Sequence, residues 1–154
     1  MIYSIGYQTL TPDYLSNLMD SLRVDVLIDV RSVPQSRKKG FSRKALAARF
    51  GARYEWRGDV LGGRGAGPTL KGITDLATEK RVVLLLCLEH LPGQCHRYHD
   101  IALPLKRRGV DVWHVVDQEI VETSEVLRAL ASEESGQGCV YSCASLSDFA
   151  ASLG

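Results

Sequence analysis

Two thiols, two imidazoles, a carboxylate and a guanidinium fall within the eleven residues from Cys87 to Arg97 of this 154-residue chain. Sulfur, imidazole and carboxylate side by side can serve nucleophilic attack, proton transfer or metal ligation. An apolar run, Val82 to Leu86, precedes them and reads as a strand buried on both faces. A loop through Pro92-Gly93 follows, and Cys95-His96-Arg97 open an amphipathic segment. A strand end, a loop and a helix start form the setting in which open α/β sheets hold ligands. A helix beginning near Cys95 would set its thiol against unpaired backbone N–H groups, with His96 and Arg97 alongside. Both influences favour the thiolate and make Cys95 a candidate nucleophile. Cys87 is a second candidate, either buried or a redox partner, although its gap to Cys95 is not the Cys-x-x-Cys pattern. Glu89 is a candidate general base if desolvated, and otherwise a partner for Arg31 or Arg97. His96 suits substrate binding or acid–base work.

A second cluster stands at the end of the apolar run Val24 to Val30, where Asp29 and Arg31 flank the turn. An arginine beyond the carboxyl end of a buried strand can hold phosphate or carboxylate bidentately, so Arg31 and Arg97 are candidate anion clamps. Asp29 would take part in the chemistry or orient Arg31, and Ser32 is a candidate phosphate donor. Between the clusters lies a glycine-rich stretch, residues 57 to 68, that is neither a Walker motif nor a dinucleotide fingerprint. Its Gly62 and Gly63 would permit close backbone approach to a ligand, or a mobile lid.

The elements that must position these groups follow from apolar period. Strands are expected at 2–5, 24–30, 52–56, 81–86, 110–116 and 139–143. Helices are expected after Thr11-Pro12-Asp13, after Ser42, over 69–78, through Ile101 to Lys106, over 122–132 and over 146–153. Strands alternating with helices predict a single α/β domain over 1–154, with a mainly parallel sheet flanked by helices.

Composition is that of a globular protein, 45% hydrophobic and 24% charged. No apolar run approaches the roughly 18 residues of a membrane span, so no membrane partner is expected and the cytoplasm is the expected compartment. There, four cysteines are expected as free thiols or ligands. The net charge of +1 hides an asymmetry. Residues 31–57 carry nine Lys or Arg against Glu55, and 117–154 carry seven acids against Arg128. One part of the surface should attract anions.

Four blocks, Ile5-Gly6-Tyr7, Asp29-Val-Arg-Ser-Val-Pro-Gln-Ser36, Leu61-Gly62-Gly63 and Leu86-Cys-Leu-Glu89 leading to Cys95-His-Arg97, resemble the family called domain of unknown function 488. The resemblance implies an α/β fold and a site built from these blocks, and it brings no established reaction. The family commonly reads Ile-Gly-His in the first block. Tyr7 holds that His position here, so a role for the imidazole does not carry over.

Three functions compete on this reading. The first is an enzyme acting on an anionic substrate, such as a phosphorylated small molecule, a nucleotide or a nucleic acid, at the Cys/His/Arg site. Rhodanese-like or phosphatase-like chemistry is disfavoured within it, because Gly93 stands where a Cys loop of that kind ends in Arg. The second is a zinc or iron–sulfur protein using Cys87, Cys95, His96 and one of Cys139 or Cys143. The third is a nucleic-acid-binding module resting on the basic stretch, with Tyr54 and Trp56 as stacking residues. Cofactor and oligomeric state are not legible.

Overall fold

The computed structural model describes residues 1–134 and 144–154. Seven strands form one sheet in the order β3-β2-β4-β1-β5-β6-β7. They are β1 (Ile2–Gly6), β2 (Val26–Asp29), β3 (Tyr54–Trp56), β4 (Val83–Cys87), β5 (Val112–Val116), β6 (Glu119–Glu122) and β7 (Ala144–Ser145). The first five in sequence pair in parallel, and β6 and β7 add an antiparallel edge. The helices are α1 (Pro12–Ser21), α2 (Arg43–Phe50), α3 (Gly58–Leu61), α4 (Leu70–Ala77), α5 (Leu103–Lys106), α6 (Thr123–Glu134) and α7 (Leu146–Ser152). This is the expected α/β fold with a mostly parallel sheet. No helix among the described residues is long and apolar enough to cross a membrane.

Helix starts form where the sequence places side-chain caps. Thr11, Ser42 and Thr69 each accept a backbone N–H through the hydroxyl, opening α1, α2 and α4. Strand side chains alternate between two cores. Val26, Ile28, Val83 and Leu85 pack on one face with Ile73, Ile101, Leu105 and Val126, from the α4, α5 and α6 side. Tyr3, Ile5, Leu27, Leu84 and Leu86 pack on the other with Leu15, Leu18 and Leu46 of α1 and α2. The chain leaving β1 therefore turns to one face and the chain leaving its neighbour β4 turns to the other. A crevice opens at the carboxyl ends of two such strands.

Two expectations are corrected. Residues 58–61, read as part of a glycine-rich loop, form α3. The helix expected from residue 122 begins at Thr123, because 119–122 forms β6, paired antiparallel to β5 across a turn in which Asp117 takes a positive φ of 55°. The strand expected at 139–143, with Cys139 and Cys143, lies outside the described residues.

An ion-pair network spans β2: Arg81 bonds Glu79 and Glu55, and Arg57 bonds Glu55. Hydrogen bonds from Arg81 lower the Glu79 carboxyl from its ordinary 4.5 to about 2. A depressed acid contributes stability that is present above about 4.5 and lost as pH falls through about 2. Glu79→Gln is thus expected to cost up to about 1 kcal/mol near neutrality. Urea denaturation of both proteins across this range should show the difference closing in acid; a difference independent of pH would contradict the assignment.

Candidate functional site

The crevice is built on close contact between the ends of β1 and β4. Tyr7 and Gln8 extend the strand pairing by donating backbone N–H groups to the carbonyls of Cys87 and Leu88, each at 3.0 Å. Gly6 makes this possible, since a Cβ there would lie 1.6 Å from the Glu89 carbonyl oxygen. The loop after β4 is consequently drawn across the strand ends, with Glu89 at its start.

Cys95 ends a short 3-10 turn in extended conformation, and the chain then winds through a π-helical turn, Arg97–Ala102, into α5. Its carbonyl accepts from the Tyr98 N–H, and its sulfur accepts the Arg97 N–H at 3.5 Å. The Cys95 sulfur therefore lies against the first N–H of this six-residue turn, whose N-cap is His96. The segment brings Cys95 and His96 back onto the end of β4. Cys87 Sγ, Cys95 Sγ and one His96 ring nitrogen all lie within 4.8 Å of one another. His96 Nδ1 is 3.6 Å from Cys87 Sγ and 3.9 Å from Cys95 Sγ, and Cys87 Sγ is 3.4 Å from Glu89 Oε2.

The other face of the imidazole fixes its tautomer. His96 Nε2 lies 3.2 Å from the Leu61 carbonyl, an acceptor, so Nε2 carries a proton: the neutral ring, the form a metal would take, presents its Nδ1 lone pair to the sulfurs, and the protonated ring donates Nδ1–H to the Cys95 thiolate. The two thiols are polarised in opposite directions. The hydrogen bond from Cys87, then His96 and the Arg97 charge, hold Cys95 well below the usual thiol range despite burial. Its partnership with Cys95, then burial, pushes Cys87 up, so the pair reads as thiolate at Cys95 and thiol at Cys87. Burial raises the Glu89 carboxyl, and its contact with Cys95 raises it further. Burial would lower His96, but the hydrogen bond and charge of Cys95 outweigh it and raise it overall.

Above this cluster lies a cleft of about 370 Å³, lined by Cys87, Glu89, His96, Tyr7, Arg31, Ser32, Val33, Gln35, Gly63, Arg64 and Leu88. Cys87, Glu89 and His96 open onto it, whereas Cys95 lies behind them at 2% exposure.

Several expected roles are not what the geometry supports. Arg31 is no free clamp: its Nε and Nη2 donate to both oxygens of Asp29, and Nη1 donates to Tyr7 Oη and Phe41 O. Asp29, expected either in the chemistry or as the group that orients Arg31, is fully buried and accepts from Arg31 and from Tyr54 Oη. It is an orienting carboxylate with its lone pairs taken up. Arg97 is fully buried, donating to the carbonyls of Glu89 and His90 and to Ser4 Oγ. It cannot reach a ligand in the cleft. Gly62 and Gly63 form no lid: a Cβ on Gly62 would meet Ser32 Oγ at 2.2 Å, and one on Gly63 would meet His96 Cγ at 2.5 Å. They are there to let the backbone pack against the site. Ser32 lines the cleft, and its hydroxyl accepts the Arg64 N–H at 3.1 Å.

The basic stretch is also less available than its composition implied. Arg31, Arg49, Arg53 and Arg57 are ion-paired with Asp29, Asp13, Asp20 and Glu55. Tyr54 bonds Asp29, and Trp56 donates to Arg31 O with Arg43 stacked on its ring. Neither aromatic ring is presented as an open stacking platform. Residues that sequence reasoning missed are Tyr7, Gln35 and Arg64. Arg64 carried a signal, as the cation set among the glycines of 62–67, whereas Tyr7 and Gln35 had only their place within the first and second blocks, with nothing in residue type to assign them a role.

Fold and site together define an α/β protein with two cysteine sulfurs, an imidazole and a carboxyl group gathered at the carboxyl ends of two central parallel strands. Residues 12–70 match the model of the family described as "Domain of unknown function DUF488". The match bears out the resemblance across the Asp29–Ser36 and Leu61-Gly62-Gly63 blocks, and the cysteine block stands beyond the matched residues. No curated protein and no solved structure matches the chain.

Proposed function

We propose that the protein is a zinc-type metalloenzyme whose metal is held by Cys87, Cys95 and His96 at the floor of the cleft. The observation that carries this reading is the convergence of two sulfurs and one imidazole nitrogen within 4.8 Å. Tetrahedral zinc, with Zn–S about 2.3 Å and Zn–N about 2.0–2.1 Å, sets sulfur and nitrogen about 3.6 Å apart. The observed separations are 3.6 and 3.9 Å. The surroundings suit such a centre as well. His96 anchors its far nitrogen on the Leu61 carbonyl, the usual second contact of a ligating histidine. The Arg97 N–H faces the Cys95 sulfur.

Three protein ligands leave a fourth position, the arrangement of catalytic rather than structural zinc. Cys87 and His96 line the cleft, so a ligand completing the set would be supplied from that side. Zinc there would polarise a substrate oxygen and acidify a water molecule. Glu89 contacts Cys87 but lies outside the compact set of three ligand atoms, so it is placed to take a proton from that water rather than to complete the coordination.

Protein purified without a metal-chelating tag and kept reduced should contain close to one equivalent of zinc by elemental analysis. Cys95→Ser and His96→Ala should lose it. Reduced, folded protein that neither retains zinc nor takes it up from solution at micromolar concentration would refute the proposal.

A further inference from the structure

The fold takes up the two arginines that the sequence offered for anion binding, so recognition of an anionic ligand must come from elsewhere in the cleft. Arg64 is the cleft-lining cation to which no acid is paired among the described residues, and its side chain is exposed. Its backbone is nevertheless held in fixed relation to the metal ligands. Leu61 O receives His96 Nε2, Gly63 packs on the His96 ring, and the Arg64 N–H donates to Ser32 Oγ. Three successive contacts therefore register the base of Arg64 against His96, while its exposed side chain is left at the cleft wall. Ser32, having accepted that N–H, keeps its own hydroxyl proton to donate. Val33 and Leu88, both more than 40% exposed, supply an apolar rim.

We propose that Arg64 is the positioning residue for an oxyanion ligand, an organic phosphate or carboxylate, whose charged group bridges Arg64 and the metal position while its apolar part rests between Val33 and Leu88. The inference rests on the metal reading above and deepens it by naming the ligand chemistry. A guanidinium fork matches two oxygens of either group. The cleft volume falls within the range of small-molecule sites and suits a compact metabolite-sized ligand.

The test uses the full chain loaded with cobalt(II), whose visible spectrum reports its ligand sphere, titrated with inorganic phosphate, phenyl phosphate and benzoate. At least one should shift the spectrum saturably, with phenyl phosphate binding more tightly than phosphate if the apolar rim contributes. Arg64→Gln should weaken that binding about tenfold or more, the worth of a charge-assisted contact, with cobalt stoichiometry and starting spectrum unchanged. Arg43→Gln, which removes an arginine stacked on Trp56 outside the cleft, should leave the titration as in the parent. Cobalt-loaded parent that ignores all three anions, or Arg64→Gln that binds them like the parent, overturns the inference while the metal centre stands. A parent that takes up no cobalt overturns the metal reading and this inference with it.

Discussion

Asp29→Ala is expected to lose about 3–5 kcal/mol of folding stability, an effect large enough to leave a domain of this size partly unfolded at room temperature. The reason is not the strength of the Asp29–Arg31 attraction, which desolvation of both groups largely offsets. It is what the substitution leaves behind. Asp29 is fully buried and Arg31 is 6% exposed, so without the carboxylate a guanidinium remains in the interior with its charge uncompensated. The Tyr54 hydroxyl loses its acceptor as well. Removing both charges should be milder: the double variant Asp29→Ala with Arg31→Met deletes the pair rather than orphaning one half, and is expected to be more stable than Asp29→Ala alone. Equilibrium urea denaturation of the parent, both single variants and the double variant gives the comparison. A double variant less stable than Asp29→Ala would show that Arg31 is held by Tyr7 and Phe41 rather than by its carboxylate.

The same pair shows what a sequence can and cannot reveal about a site. Asp29 and Arg31, two residues apart at the end of a buried strand, are visible as a polar break in an apolar run. Whether the charges face each other or a ligand depends on what covers them, here Tyr7 and Phe41, whose rings stack 4.7 Å apart over the pair. Phe41 comes from the turn before α2, and no local pattern announces that contact. Cys87, Glu89 and His96 were legible for the opposite reason. They belong to one strand–loop–helix unit whose path is set by local signals, so their proximity needs little help from distant segments. Tertiary contact supplies what remains: the Leu61 carbonyl that orients His96, from a short helix that reads as loop, and the Gly6 surface against Glu89.

The architecture was legible where period and caps agree, as in α1, α2 and α4, each opened by a hydroxyl cap in front of a periodic run. It was obscure at β6, because a four-residue strand carries too few residues to establish alternation and its turn lacks the glycine that marks tight hairpins. The π-helical turn at 97–102 was equally hidden. It carries the buried Arg97 and Tyr98, and turns of this kind concentrate at functional sites.

Burial of Arg97 leads to the second large effect. Arg97→Met is expected to lower stability by about 3–5 kcal/mol and, if the proposed metal site is correct, zinc affinity by at least about tenfold, the loss typical of removing support behind a metal ligand. The guanidinium ties the backbone of the ligand loop, at Glu89 and His90, to Ser4 in β1. Ser4 in turn lies 2.6 Å from Nδ1 of His114, a histidine whose burial pushes it down to about 3 and keeps it neutral. A neutral His114 adds no competing charge, so the Arg97 cation is left to face the Cys95 sulfur, and it is among the groups that favour thiolate there. Methionine matches much of the volume but leaves the part-buried carbonyls of Glu89 and His90 without these donors and the sulfur without its cation. Arg97→Lys separates these roles, since it keeps the charge while losing the fork that spans both carbonyls. It should recover part of the zinc affinity and little of the stability. Calorimetric zinc titration and urea denaturation of the metal-free forms measure the two independently. If Arg97→Met matched the parent in both, the buried guanidinium would be filling space, and the loop bearing Glu89 would owe its position to Gly6 and the extended β1–β4 pairing alone.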